Sequence, residues 1–333
     1  MKINNINTDK KVFIIAEIGN NHEGSLSLAK KMIKAAKFSG ADAVKFQTII
    51  PKKLVEESDI IRIKQLKKFE LSKANYVQLK KYCDNVGLIF LSTPFDLNSV
   101  NELKKLIPAF KISSGDNNYF ELIDKVIETK KPIIISTGLN NNNEIKKLVN
   151  YFKKHNKFMT NLNESLTLLH CVSKYPTPLN EAFLENINFL KKLNCTVGYS
   201  DHTQGIDACL TAVVMGARVI EKHFTIDNNF SKFRDHQLSA NPTEFKKMVS
   251  SIRNIEILIS NRKYKLNENI NVNLRRSARY TKNLKSGSFI NEQNIKWVRP
   301  GNGIINSNKN KILGKKLKVS VLRDQLVELK HIN

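Results

Sequence analysis

Residues 195–225 read CTVGYSDHTQGIDACLTAVVMGARVIEKHFT. Two short apolar runs, Cys195–Ser200 and Arg218–Phe224, have the length and composition of buried strands, and Gly205–Met215 between them has the small-residue face of a packed helix. Strands joined through a helix run parallel, because a parallel pair needs a long crossover. Each run also ends in polar chemistry: Ser200, Asp201 and His202 after the first, Glu221 and His223 in the second.

The same unit recurs towards the amino terminus. Strand candidates are Val12–Ile18, Asp42–Thr48, Leu88–Thr93, Ala109–Ser114, Pro132–Thr137 and Leu166–Cys171. Amphipathic stretches separate them, such as Ser25–Phe38 with Leu26, Ala29, Ile33 and Ala36 on one face. Eight strand–helix units with nearly continuous apolar strands predict an α/β fold, a closed parallel (β/α)8 TIM barrel rather than an open sheet. The helix after Asn241-Pro242 completes the ring. Polar side chains gather at the strands' carboxyl ends: Glu17, Lys45 with Gln47, Ser92 with Thr93, Lys111 with Ser113 and Ser114, Ser136 with Thr137, and His170. Barrel enzymes build their active sites at that end, so the pattern predicts a catalytic mouth.

With 333 residues, 41% hydrophobic and 26% charged, the chain can bury a large core, which excludes wholesale disorder. No apolar stretch approaches the roughly 20 residues of a membrane-spanning helix. Met1–Lys11 lacks the apolar segment of a secretory signal, and the expected location is the cytoplasm. Cys83, Cys171, Cys195 and Cys209 have no paired spacing, so reduced thiols are expected, with Cys171 and Cys209 as buried packing residues rather than nucleophiles. The formal charge of +25 is spread as Lys-Lys pairs along helical faces without interleaved aromatics. That distribution argues against a nucleic-acid partner and leaves a general attraction for small anions.

After Ser260 the pattern changes. Residues 1–260 form the barrel, the polar stretch 261–274 reads as a linker, and 275–333 reads as a small β-rich domain. Its strand-like segments are Ala278–Thr281, Ile295–Val298, Leu317–Val319 and Leu326–Leu329. So small a core needs a larger body to dock on.

His202 and His223 end successive strands, where neighbouring positions lie about 5 Å apart, so their imidazoles can meet. Imidazole suits a divalent transition metal, and two protein nitrogens leave positions for water or a substrate carbonyl. Two hydrogen-bonded rim histidines are the alternative. Lys45 and Lys111 could face one anion together with the hydroxyls of Thr93, Ser114, Ser136 and Ser200, an arrangement suited to phosphate. Lysines reaching into solvent are the alternative there, and a desolvated lysine forming a Schiff base would make the protein an aldolase. Glu17, inside AEIGNNHEG (residues 16–24), is placed either for proton transfer or for an ion pair at a helix start. Asp235 lies in a long loop, Asn228–Asn241, suited to a lid over a polar acceptor.

AEIGNNHEG, VKFQT, LSTPFD, FKISSGD, IISTGL, LLHCVSKYPTP, GYSDHT, VIEKHFT and WVRPGNG together resemble the sialic acid synthases, which include N-acetylneuraminate, legionaminate and pseudaminate synthases. The resemblance covers almost the whole chain. It implies a barrel joined to an antifreeze-like (SAF, β-clip) domain and packed as a domain-swapped homodimer. It also implies a divalent metal (Mn2+, with Mg2+ or Co2+ as substitutes), phosphoenolpyruvate as donor and an N-acyl amino hexose as acceptor. By position, it implies phosphoenolpyruvate contacts at Lys45, Thr93, Lys111, Ser114, Ser136, Ser173 and Ser200, and metal ligands at His202 and His223. Glu17 takes the acid/base position. Sugar contacts fall on Gln47, Asp116, Tyr175 and Asp235, with Arg299 reaching the neighbouring subunit's site.

Three departures from the family's pattern stand out, two on the acceptor side and one, Ser173, at a phosphoenolpyruvate contact. Asp116 stands where the N-acetylneuraminate enzymes have Glu, Ser173 replaces an Asn, and FSKFRDHQLS (residues 230–239) replaces a proline-glycine lid. The expected reaction is N-acetylneuraminate synthesis, with legionaminate, pseudaminate or 9-phosphate synthesis as alternatives. An unphosphorylated acceptor is expected because the acceptor half shows no extra basic cluster. A Schiff-base aldolase and a basic binding protein on a barrel scaffold are the more distant alternatives.

Overall fold

Eight parallel strands organise the first of the two units, Met1–Ser260 and Asn261–Asn333, into which the chain divides in the computed structural model. The structure describes residues 1–156, 158, 161–260 and 272–333, so the expected linker lies outside the described residues as far as residue 271. A short antiparallel hairpin, β1 (Lys2–Ile3) and β2 (Ile6–Asn7), precedes the barrel. The barrel strands are β3 (Phe13–Gly19), β4 (Ala43–Thr48), β5 (Ile89–Pro94), β6 (Phe110–Ile112), β7 (Ile133–Ser136), β8 (Leu166–Cys171), β9 (Thr196–Asp201) and β10 (Val219–His223). They follow the order β5-β4-β3-β10-β9-β8-β7-β6. Strands β5 and β6 lie side by side and close the ring without a paired ladder among the described residues. The physical cause is β6, which stops at Ile112 because the chain turns over Ser113–Asp116, where the Asp116 N–H bonds the Ser113 carbonyl.

Strand alternation separates two cores. Outward residues such as Ile14, Ala16 and Ile18 of β3 pack on the surrounding helices. Inward residues Phe13, Ile15, Ala43, Leu91, Ile134, Leu169 and Val219 fill the barrel interior, where Met1 and Ile3 of the hairpin join them. The Met1 amine donates to Thr196 Oγ1 at the start of β9, so the hairpin plugs the amino-terminal end of the barrel. Further up each strand the inward positions turn polar: Glu17 after Ile15, Lys45 after Ala43, Thr93 after Leu91, Ser136 after Ile134 and Glu221 after Val219. The lower layers are therefore oily packing and the uppermost layer is chemistry.

The helix Pro242–Leu258 buries Phe245, Met248, Val249 and Ile252 against the barrel. Asn241 caps it in a reciprocal box with Glu244, and proline occupies the first turn, where its missing N–H costs nothing. No helix among the described residues is long and apolar enough to cross a membrane. All four cysteines are buried and free.

The second unit has its own core, including Ala278, Tyr280, Ile295, Ile312, Val321 and Val327. Strands β11 (Ser277–Tyr280) and β12 (Ile295–Val298) pair antiparallel. The other two expected strands are not strands: Leu317 and Leu326 each make a single bridge, and Leu329–His331 is a 3-10 turn. Leu317 is 1% exposed but Val319 is 44%, and Val327 is 0% but Leu329 is 54%. Each segment thus drops one side chain into the core and turns away.

Candidate active site

Four charges meet at the carboxyl ends of β3, β4, β6 and β10. Lys45 Nζ lies 2.8 Å from Glu17 Oε2 and 3.7 Å from Glu221 Oε2, and Lys111 Nζ lies 3.4 Å from Glu221 Oε1. None of these side chains is more than 6% exposed. Register brings them together, with Glu17 opposite Lys45 on β4 and opposite His223 on β10, and Ser200 opposite Glu221. Ser200 Oγ donates to Glu221 Oε1 at 2.9 Å, and Lys45 donates to Thr93 Oγ1 at 3.0 Å.

The two carboxyl groups are driven in opposite directions. Burial raises Glu17 above the usual carboxylate range, and Lys45 offsets this only in part. Burial would raise Glu221 as well, but Lys111 and Lys45 outweigh it and bring that group down to about 2. Burial lowers the Lys111 ammonium. At Lys45 the same desolvation is outweighed by Glu17 and Glu221, so its proton is held more firmly than usual. Paired groups pushed apart in this way divide acid and base roles: Glu221 stays anionic and Glu17 can carry a proton.

A cavity of about 310 Å³ opens above this cluster. Ser114, Ser136 and Ser173 line it, and their buried hydroxyls have no hydrogen-bond partner. Buried hydroxyls are rarely left unpaired, and three of them beside two ammonium groups describe a seat for an anion. The chain passes very close here: a Cβ on Gly138 would meet Ser114 Oγ and Ser173 Oγ, each at 2.6 Å.

The His202 and His223 rings lie 5.4 Å apart at their centroids. His202 Nδ1 lies 2.8 Å from the Val172 carbonyl; a carbonyl only accepts, so Nδ1 carries the proton and Nε2 is left free. His223 Nδ1 is buried without a partner, and burial lowers the pKa of this imidazole, keeping it neutral. Neutral rings with free nitrogens are the form that ligates transition metals. No group of three or more His, Cys, Asp or Glu side chains able to hold a cation occurs among the described residues. A cation here would therefore take its remaining ligands from water and substrate. Tyr175 packs on His202 at 4.0 Å and stands edge-on to His223 at 6.2 Å.

A second cavity, of about 560 Å³, shares Gln47, Phe95, Tyr175 and His223 with the first. Gln47 links the two, donating to Glu17 Oε1 at 3.2 Å and accepting from Asn20 at 2.9 Å. Asp235 lines this chamber from a short helix, Arg234–Leu238, within the loop after β10. The outer wall carries Leu66, the Phe69–Phe233 ring pair at 4.8 Å, and three cations, Arg62, Lys232 and Arg234. The Arg234 guanidinium lies 4.9 Å over the Tyr175 ring. The sequence showed no basic cluster in the acceptor half, and this is corrected: the cluster forms only when the loop after β10 meets the helix Ile60–Lys67.

Of the sequence-derived residues, Glu17, Lys45, Thr93, Lys111, Ser114, Ser136, Ser173, Ser200, His202 and His223 line the smaller cavity. Gln47 and Tyr175 line both cavities, and Asp235 the larger. Asp116 lines neither; it accepts from Ser113 Oγ at 2.5 Å in the turn after β6. Arg299 belongs to the second unit. Glu221 stands at a strand end, and the sequence assigns it no role. The available signal was its place two residues before His223, on the same inward face.

The NeuB family matches residues 32–264, and the SAF domain matches residues 275–333. The N,N'-diacetyllegionaminic acid synthase of Campylobacter jejuni is 38% identical over 336 residues, 96% of this chain and 99% of that protein. The pseudaminic acid synthase of the same organism is 39% identical over 333 residues, 95% of each chain. Among solved structures, the N-acetylneuraminic acid (sialic acid) synthetase of Leptospira borgpetersenii, in complex with citrate, superposes with a TM-score of 0.74 at 33% identity, over 81% of this chain and 93% of that one.

Proposed function

The chain belongs to the NeuB family, and from that premise we propose that it joins phosphoenolpyruvate to an N-acyl amino hexose, releasing phosphate and giving a nonulosonic, sialic-type acid. The observation that carries the reading is the smaller cavity. Unpaired hydroxyls and two ammonium groups meet there beside two imidazoles, of which His223 is held neutral by burial, and a protonatable carboxyl. His202 and His223 would hold a divalent metal, Mn2+ first, with Mg2+ or Co2+ as substitutes. When bound it supplies Lewis acidity to the acceptor aldehyde.

The chain's own residues do the rest. Ser114, Ser136 and Ser173 seat the donor's anionic groups, and Glu221 keeps Lys111 and Lys45 aimed at them. Glu17 gives its proton to the aldehyde oxygen as the donor's methylene carbon bonds to the aldehyde carbon. The enol carbon, now cationic, takes a water whose proton returns to Glu17. The resulting tetrahedral carbon becomes the ketone as its C–O bond to phosphate breaks and its hydroxyl proton passes to the departing phosphate. Lys45 and Lys111 stabilise the departing charge.

The sequence favours N-acetylmannosamine as acceptor, giving N-acetylneuraminate. The apolar outer wall, with Leu66, Phe69 and Phe233, supports a second reading, a deoxygenated hexose bearing two acyl groups. The diacetyl name of one relative supports it too. Arg62 and Lys232 keep a 6-phosphate acceptor in view. The proposal includes a domain-swapped homodimer in which Arg299 of the partner subunit completes the acceptor site.

Phosphate release from phosphoenolpyruvate tests this against N-acetylmannosamine, its 6-phosphate and the diacetamido-trideoxyhexoses. Release is expected with one acceptor class, only with a divalent metal present, and without covalent trapping by borohydride. A borohydride-trapped adduct with pyruvate, or release indifferent to metal chelation, would overturn the reading.

A further inference from the structure

Between β9, whose end leads into His202, and β10, which carries His223, lies a buried ion pair that the chemistry above does not use. Lys222 Nζ lies 2.6 Å from Asp201 Oδ2, with the two side chains 1% and 0% exposed. The residues are register partners on β10 and β9. Alternation turns them away from the mouth, while their neighbours Glu221, His223 and Ser200 line it. Burying two charges is costly, and an apolar pair would usually pack as well. Packing alone therefore does not explain an ion pair at this place.

Its hydrogen bonds converge on the backbone around His202. Asp201 Oδ1 accepts from the Thr203 N–H at 2.8 Å and from the Tyr199 hydroxyl at 3.0 Å, and Oδ2 accepts from Cys209 Sγ at 3.2 Å. Lys222 Nζ also donates to the Thr203 carbonyl at 2.5 Å. The His202 carbonyl accepts from the Thr177 N–H at 2.9 Å. Both residues flanking His202 are thus tied to the side chain that immediately precedes His223.

We propose that the Lys222–Asp201 pair is a positioning clamp that sets the spacing of His202 and His223 for a shared divalent cation. The clamp rests on the metal reading given above. It acts through the imidazoles and touches no substrate.

The test is Mn2+ binding to metal-free protein, followed by the electron paramagnetic resonance of the free ion, with phosphoenolpyruvate binding and thermal unfolding as companions. Lys222→Met/Asp201→Asn removes both charges together. This variant is expected to fold and to bind phosphoenolpyruvate normally, with Mn2+ affinity weakened about 10- to 100-fold, the range seen when groups orienting metal ligands are removed. Wild-type Mn2+ affinity in the variant, or an equal loss of Mn2+ and phosphoenolpyruvate binding, would overturn the clamp. Wild-type protein that binds Mn2+ no better than His202→Ala or His223→Ala would overturn the metal reading, and the clamp with it. Should the double variant not fold, Lys222→Arg decides the question. Its larger planar fork keeps the charge but cannot sit where the compact ammonium sits without moving Asp201 or the Thr203 backbone, both packed against a side chain only 1% exposed, so weaker Mn2+ binding is expected and unchanged binding overturns the proposal.

Discussion

Glu17 and Glu221 share Lys45, yet one is raised by burial and the other is pulled down by the ammonium groups. The difference is geometric, since Glu221 lies within reach of both Lys45 and Lys111 whereas Glu17 is ion-paired with Lys45. A raised pKa means that Glu17 keeps its proton to a higher pH than an ordinary glutamate. As the initial proton donor it is competent below that pKa, so activity should fall as pH rises through it. Glu17→Gln is expected to lower kcat by about 10²- to 10⁴-fold and to erase that limb from the pH profile of kcat/KM. A variant that retained the limb would assign it to another group. The identity of Glu17 as a candidate was legible because it ends an apolar strand. The direction of its shift was not, because it depends on neighbours contributed by β4 and β10.

Elements differ in how clearly their sequences announced them. The barrel strands show themselves through continuous apolar runs, and most fall within one residue of the expected bounds. Strand β6 is the exception, because the Ser113–Asp116 turn cuts it short and loosens the seam with β5. The same turn takes Asp116 out of the cavity linings. Beside it, the loop after β7 brings Gly138 against Ser114 and Ser173. Gly138→Ala must displace both hydroxyls, at the cost of about 1–3 kcal/mol usual for overpacking. If those hydroxyls seat the donor, its KM should rise on the order of tenfold while the acceptor's KM changes little. Steady-state phosphate release with each substrate varied in turn measures both, and an unchanged donor KM would move the donor elsewhere.

At the scale of the molecule, every residue lining the two cavities belongs to the unit Met1–Ser260, and the second unit has a core of its own. A chain ended at Ser260 is therefore expected to fold and to bind phosphoenolpyruvate and Mn2+ within about threefold of the full chain, since distant sites contribute nearly independently. Calorimetric titration of both ligands checks this, and loss of donor binding would mean that the second unit completes the donor site. The net charge of +25 adds an expectation for the intact protein. Capture of the anionic donor should slow as salt rises, because long-range steering is screened.

The sequence by itself determined the number and order of the strands and the end of the barrel at which polar side chains collect. These properties follow from the period of hydrophobicity along the chain and from which residue types fall two apart on a strand. The tertiary structure decided which of those side chains meet. Closing the ring puts Glu17 beside Lys45 and His223, sets Glu221 between two lysines, and draws Arg62 and Lys232 into one chamber from opposite ends of the barrel sequence. Such pairings depend on which strands and loops become neighbours in space, and on charges felt only once water has been excluded. No local stretch of sequence carries that information.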